Sequence, residues 1–124
     1  MAGDRLLVDT NIILYALKGD KALTEMIHGQ DLYISFITRI ELLSFPKIDA
    51  DGIALIERFL EQVPVVESNP VINADAIQLR RKSGLEVPDS IIAASARFLG
   101  VRLLTADKDF KKVDEEIDLL LYQI

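Results

Sequence analysis

The 124-residue sequence contains no cysteine and a single histidine, His28. Without thiols there is no disulfide, no thiolate nucleophile and no cysteine metal site, a composition that fits a reducing compartment. The lone histidine falls at the end of a predicted helix, remote from every motif described below, and is not expected to be a ligand. Long apolar runs are missing as well. None approaches the ~18 residues of a membrane helix, and the N-terminus lacks the basic-then-apolar order of a signal peptide. The expected location is therefore cytoplasmic, with no membrane partner. Basic charge is in deficit: 14 Lys and Arg against 20 Asp and Glu leave a formal net charge of −6. That balance argues against a nucleic-acid binder held by a basic surface. Carboxylates that hold divalent cations reverse the local sign, however, and by that route an acidic chain handles phosphates.

Half of the residues are hydrophobic, which predicts a packed fold and excludes disorder. The length fits a single domain over residues 1–124, and no internal repeat, low-complexity tract or linker interrupts it. Leu6-Leu7-Val8 reads as a buried strand that ends at Asp9 and turns through Thr10-Asn11 into a helix from Ile12 to Lys18. Asp20 caps a helix over 21–28, and Leu32 to Ser35 forms the second strand. Phe36 to Phe45 has a helical pattern that Pro46 ends, and Asp49 or Asp51 opens a helix running to Gln62. Val63 to Val66 is a third strand, placed at an edge or a strand start by Pro64. Ser68-Asn69-Pro70 starts a helix that Gly84 closes, and Pro88-Asp89-Ser90 opens an alanine-rich helix ending at Leu99-Gly100. Arg102 to Thr105 is a strand, 106–110 a polar turn, and Asp118 to Tyr122 a last strand. This alternation predicts an α/β fold, a three-layer α/β/α sandwich around a mainly parallel central sheet of four to five strands.

Four acids stand out against this pattern. Asp9 is set at the carboxyl end of a strand, the side on which open α/β sheets bind ligands, although a helix cap also accounts for it. Glu41 lies four residues from both Ile37 and Phe45, on the apolar stripe of its helix, unless Thr38-x-x-Glu41 is a capping box. Asp89 opens a helix, where aspartate commonly caps, yet it shares a face with Ile92, Ala93 and Ala96 that leans on the sheet. Asp107 emerges from a strand end as Asp9 does, with Asp109 two residues on, and the bland account is a solvated turn. If the two strands are parallel neighbours, their acids share an edge. Two carboxylates ~5 Å apart repel by roughly 3 kcal/mol at an effective dielectric near 20, so four together invite protons or metal. Oxygen-only ligands with open positions suit Mg²⁺ or Mn²⁺, and such sites cleave phosphate esters.

Leu7-Val8-Asp9-Thr10-Asn11, Thr38-Arg39-Ile40-Glu41-Leu42-Leu43, the stretch from Pro88-Asp89-Ser90 to Ala96, and Leu104-Thr105-Ala106-Asp107-Lys108-Asp109-Phe110 together resemble the PIN-domain family of metal-dependent ribonucleases. The likeness is strongest to the small VapC-type toxins of toxin–antitoxin pairs. The four stretches come in the family's order and span nearly the whole chain. The resemblance implies that Asp9, Glu41, Asp89 and Asp107 are the catalytic quartet holding one or two Mg²⁺ or Mn²⁺ ions. It further implies that Asn11 and Thr105 support them, and that Asp109 is a second-rank acid. RNA would be the substrate, cleaved at phosphodiester bonds by metal-activated water. Arg39, Arg80, Arg81, Lys82 and Lys108 form a candidate RNA rim, though a solvated helix face explains each of them equally well. A homodimer and a small VapB-like antitoxin are the partners implied, with Leu14, Leu17 and Ile27 as exposed dimer contacts. One departure from the pattern concerns the loop after the second motif, where Ser44-Phe45-Pro46 replaces the usual glycine.

Two other functions compete. A receiver domain shares this length and order, but it needs an acidic pair after the first strand, a mid-chain phosphate-accepting aspartate and a lysine at the end of the last core strand. Here the first strand has one acid, the mid-chain strand ends at Glu67, and the lysine after Thr105 is displaced into the turn. An inactive PIN-like binding module is the other alternative, opposed by the intact quartet.

Overall fold

A computed structural model describes residues 3–123. Strand β1 (Arg5–Val8) leads into helices α1 (Thr10–Leu17) and α2 (Lys21–Ile27), then β2 (Asp31–Ser35), α3 (Phe36–Leu43) and α4 (Ala50–Gln62). The second half runs through β3 (Val65–Val66), α5 (Pro70–Ser83), α6 (Val87–Leu99), β4 (Arg102–Thr105), a 3-10 helix (Lys108–Val113) and β5 (Leu119–Leu121). The strands form one five-stranded sheet in the order β3-β2-β1-β4-β5. All four pairings are parallel. β1 is central, so the chain winds outward from it in both directions.

Successive residues of a strand face opposite sides of the sheet, and the two cores follow that rule. Leu7 and Leu103 point into one, against α5, α6 and the 3-10 helix through Ile72, Leu79, Ile92, Ala93, Ala96 and Phe110. Leu6, Val8 and Leu104 point into the other, against α1, α2 and α4 through Ile12, Leu23 and Ile56. The expected three-layer α/β arrangement is the result. Local signals set the boundaries. Asp20, Asp49 and Asn69 each cap a helix by accepting a backbone amide, from Leu23, Gly52 and Ile72 respectively. Gly84 and Gly100 end α5 and α6 in the left-handed conformation.

Several expectations need correction. The third strand is only Val65–Val66, because Val63 closes α4, although it does lie at the sheet edge. The polar turn after β4 is a turn only as far as Asp107, since residues 108–113 form the 3-10 helix, which buries Phe110 and Val113. Leu14, Leu17 and Ile27 are not exposed. All three are partly buried against the core beneath α1 and α2. The exposed large apolar side chains lie instead on α3, α4 and the loop between them, at Ile40, Leu43, Phe45 and Leu55, and on α5 and α6, at Val71, Ile77, Val87 and Phe98. In the loop that lacks the usual glycine, Lys47 takes the left-handed conformation, with φ of 64°.

Candidate functional site

The chemistry begins at the ends of β1 and β4. Their register pairs Val8 with Leu104, and the amide of Asp9 extends the ladder by donating to the Leu104 carbonyl across 2.9 Å. Asp9 and Asp107 therefore leave the sheet at one edge, beside the strand from which the winding reverses. That crevice is where open α/β sheets take ligands.

Asp9 is buried and every oxygen it has is engaged. Oδ1 accepts the amide of Thr10 at 2.8 Å, while Oδ2 accepts the hydroxyl of Thr105 at 2.7 Å and the side-chain amide of Asn11 at 3.2 Å. It occupies the N-cap position of α1, but it takes the amide of the next residue and not one from the second or third helical position, as a cap ordinarily does. Thr105, fully buried, also accepts the amide of Asp107 at 3.0 Å, and Asn11 accepts the amide of Ala106 at 3.2 Å. The two residues thus tie the ends of β1 and β4 together.

Glu41 is reached from α3, and neither sequence account of it holds. The cap of α3 is Ser35, which accepts the amide of Ile37 at 3.1 Å, so Thr38 and Glu41 are not a capping box. The buried positions of α3 are Thr38 and Leu42, and Glu41 lies on the exposed side of that stripe. Its Oε1 accepts the hydroxyl of Thr10 at 2.6 Å. Asp89 stands in the first turn of α6, half-buried, and the capping position belongs to Glu86. Asp107 caps the 3-10 helix by accepting the amide of the exposed Asp109 at 2.9 Å.

Electrostatics links the four acids. Burial, followed by the negative charges of Asp9, Asp107, Glu41 and Glu86, pushes the Asp89 carboxyl up to about 7. Burial also raises Asp9, opposed by its hydrogen bonds from Thr105 and Thr10 and reinforced by the charges of Glu41 and Asp107. Among the described residues, though, no group of three or more acids stands at metal-ligating spacing. The charges are nevertheless felt across the crevice, where Glu41 and Asp107 each also take a hydrogen bond, from the Thr10 hydroxyl and from the Asp109 amide. Hard oxygen donors under mutual repulsion fit a divalent cation in chemical type. Asp9, Glu41, Asp89 and Asp107 are the residues that could hold one.

The candidate rim residues are differently placed. Arg39 makes a two-pronged pair with Glu67 at 2.7 and 2.9 Å, Lys82 pairs with Glu116, and Arg80 donates to the carbonyl of Leu85 at 2.5 Å. Arg81 and Lys108 are exposed. His28 is exposed at the end of α2. Thr10 is the residue that sequence reasoning passed over: it touches two acids, yet a threonine opening a helix carries no signal of a partner 31 positions away.

The family model described as PIN domain matches residues 6–116. No curated protein matches the chain. Among solved structures, a toxin–antitoxin complex from Klebsiella pneumoniae is similar over 96% of this chain and 99% of that one, at 23% identity and a TM-score of 0.82. VapBC2 from Rickettsia felis, bound to a DNA fragment from its promoter, covers the same shares at 21% identity and a TM-score of 0.81. VapBC-1 from nontypeable Haemophilus influenzae is 26% identical over 94% of this chain and 97% of that one, with a TM-score of 0.73.

Proposed function

The chain belongs to the PIN domain family, and from that premise we propose that it is a Mg²⁺- or Mn²⁺-dependent endoribonuclease, the toxin of a VapBC-type pair, working as one PIN-like domain over residues 1–124. The observation that carries this reading is the shared edge: Asp9 and Asp107 leave the ends of the paired strands β1 and β4, and their charges, with that of Glu41, all bear on Asp89. Acids drawn from four separate stretches of sequence would gain nothing for the fold by such repulsion, and a cation would relieve it. Asp9, Glu41, Asp89 and Asp107 would be the ligands. A divalent ion held there would supply an activated water and charge stabilisation for cleavage of a phosphodiester to a 5′-phosphate and a 3′-hydroxyl.

The remaining work falls to the chain. Thr105 and Asn11 fix the rotamer of Asp9, which must keep one orientation while charge gathers on the phosphate. Asp109 is the reserve acid beside Asp107. Arg81 and Lys108 are the first candidates to hold the RNA backbone. Arg39 joins them, because its exposed pair with Glu67 is worth only about 0–1 kcal/mol and exchanges readily for phosphate.

The named neighbours are complexes of toxin with antitoxin, which supports a VapB-like antitoxin as partner. A cavity of about 430 Å³ lined by Leu14, Leu17, Phe45, Ile48, Leu55 and Ile56 suits an apolar segment of such a protein. A homodimer and a cytoplasmic location complete the proposal, and no helix among the described residues is long and apolar enough to cross a membrane. The second reading, a PIN fold that binds without cleaving, is favoured by the lack of any three acids at ligating spacing among the described residues. Purified protein incubated with RNA and Mn²⁺ or Mg²⁺ separates the two. Cleavage that chelator and Asp9→Asn both abolish is the expected result; no cleavage with either ion, or activity that survives Asp9→Asn, would sink the nuclease reading.

A further inference from the structure

We propose that Thr10 is a positioning residue that presents Glu41 to the divalent ion, an inference that rests on the metal-dependent reading above. Thr10 follows Asp9 directly and opens α1. Its amide donates to Asp9 Oδ1 at 2.8 Å and its hydroxyl to Glu41 Oε1 at 2.6 Å. A single residue thereby fixes an acid at the end of β1 relative to an acid on α3.

The hydroxyl has one proton to give, and the short charge-assisted contact to Glu41 takes it. Thr38, fully buried and one helical turn from Glu41, has its hydroxyl 3.2 Å from that of Thr10, within hydrogen-bond reach. The Thr10 hydroxyl thus sits between a buried hydroxyl and one oxygen of Glu41, in a short hydrogen-bonded chain that ties α1 to α3.

Folding alone explains only part of this. A buried Thr38 hydroxyl needs a partner, and Thr10 provides it. The exposed carboxylate of Glu41 has no such need, because water satisfies it. A long side chain on an exposed helical face would lose rotamer freedom on joining a ligand set, and the bond from Thr10 imposes that loss before the ion arrives. Oε1 is held, and the carboxylate is left to turn about a fixed point.

The test is Mn²⁺ binding, read from the paramagnetic resonance signal of free Mn²⁺, on wild type, Thr10→Val, Thr10→Ser, Glu41→Gln and the double variant Thr10→Val/Glu41→Gln. Thr10→Val is expected to raise the Mn²⁺ Kd by about 10-fold or more, in the range seen when a residue supporting a ligand is lost. Thr10→Ser, which keeps the hydroxyl, should restore it. In the Glu41→Gln background Thr10→Val should add little, since its effect passes through that carboxylate. Circular dichroism checks folding, and Thr10→Ala replaces the valine variant if that one does not fold. Wild-type Kd in Thr10→Val, or an equal loss with and without Glu41, overturns the positioning role. A wild type that binds no Mn²⁺ overturns the nuclease reading itself.

Discussion

The hydroxyl of Thr105 donates to Oδ2 of Asp9 across 2.7 Å, joining the ends of β4 and β1 over 96 residues of sequence. Both groups are buried, so the bond supports the fold and orients the acid at once. Thr105→Val keeps the shape and deletes the donor. Leaving a buried acceptor short of a partner costs about 1–3 kcal/mol, to be read as a lower urea midpoint with an unchanged slope. The Asp9 carboxyl should rise further, because that hydrogen bond is the strongest influence holding it down.

Stability without metal should depend on pH through Asp89. Its carboxyl lies near 7 in the folded chain, against an ordinary value of 3.8, under burial and the charges of Asp9, Asp107, Glu41 and Glu86. Between those two values the folded state binds more protons than the unfolded, so stability is highest below about 4 for this group and falls as pH rises to about 7. The melting temperature in chelator should decline across that window. Asp89→Asn should flatten the decline and give a protein more stable than wild type at pH 8.

Divalent ions should reverse the penalty. A ligand that binds only the folded state raises stability by about 2.7 kcal/mol at 100 times its Kd. Mg²⁺ or Mn²⁺ at pH 8 should therefore lift the wild-type melting temperature by several degrees and that of Asp89→Asn much less. Equal shifts in the two proteins would remove Asp89 from the ligand set.

The loop after α3 offers a prediction independent of function. Lys47 adopts φ of 64°, a conformation that costs an ordinary residue roughly 1–2 kcal/mol and asparagine less. Lys47→Asn is expected to gain about 0.5–1 kcal/mol, which thermal unfolding would report as a rise of roughly 2–4 °C.

Residues that act on near neighbours were readable from sequence. Asp20, Asp49, Asn69, Gly84 and Gly100 mark helix ends by contacts within a few positions, and strand ends placed Asp9 and Asp107 on one edge. The face on which Glu41 lies is not legible because α3 is only eight residues long and exposes Ile40 and Leu43. On so short a helix, apolar spacing fits more than one face. Leu14, Leu17 and Ile27 looked free for a partner because a sequence does not show that α1 and α2 press on each other. Thr10 was illegible for a simpler reason: its hydroxyl answers to α3, and only the fold brings α3 there.

The pairing of β1 with β4 also sets an order of events during synthesis. Asp9 leaves the ribosome 96 residues ahead of its partner Thr105, and long-range parallel pairing forms slowly. A nascent chain that stops before β4 carries Asp9, Glu41 and Asp89 but lacks the Thr105 hydroxyl that fixes Asp9. Whatever the crevice does, it does only once β4 has been made and has paired with β1, and a product that stops short of β4 would lack both Thr105 and Asp107.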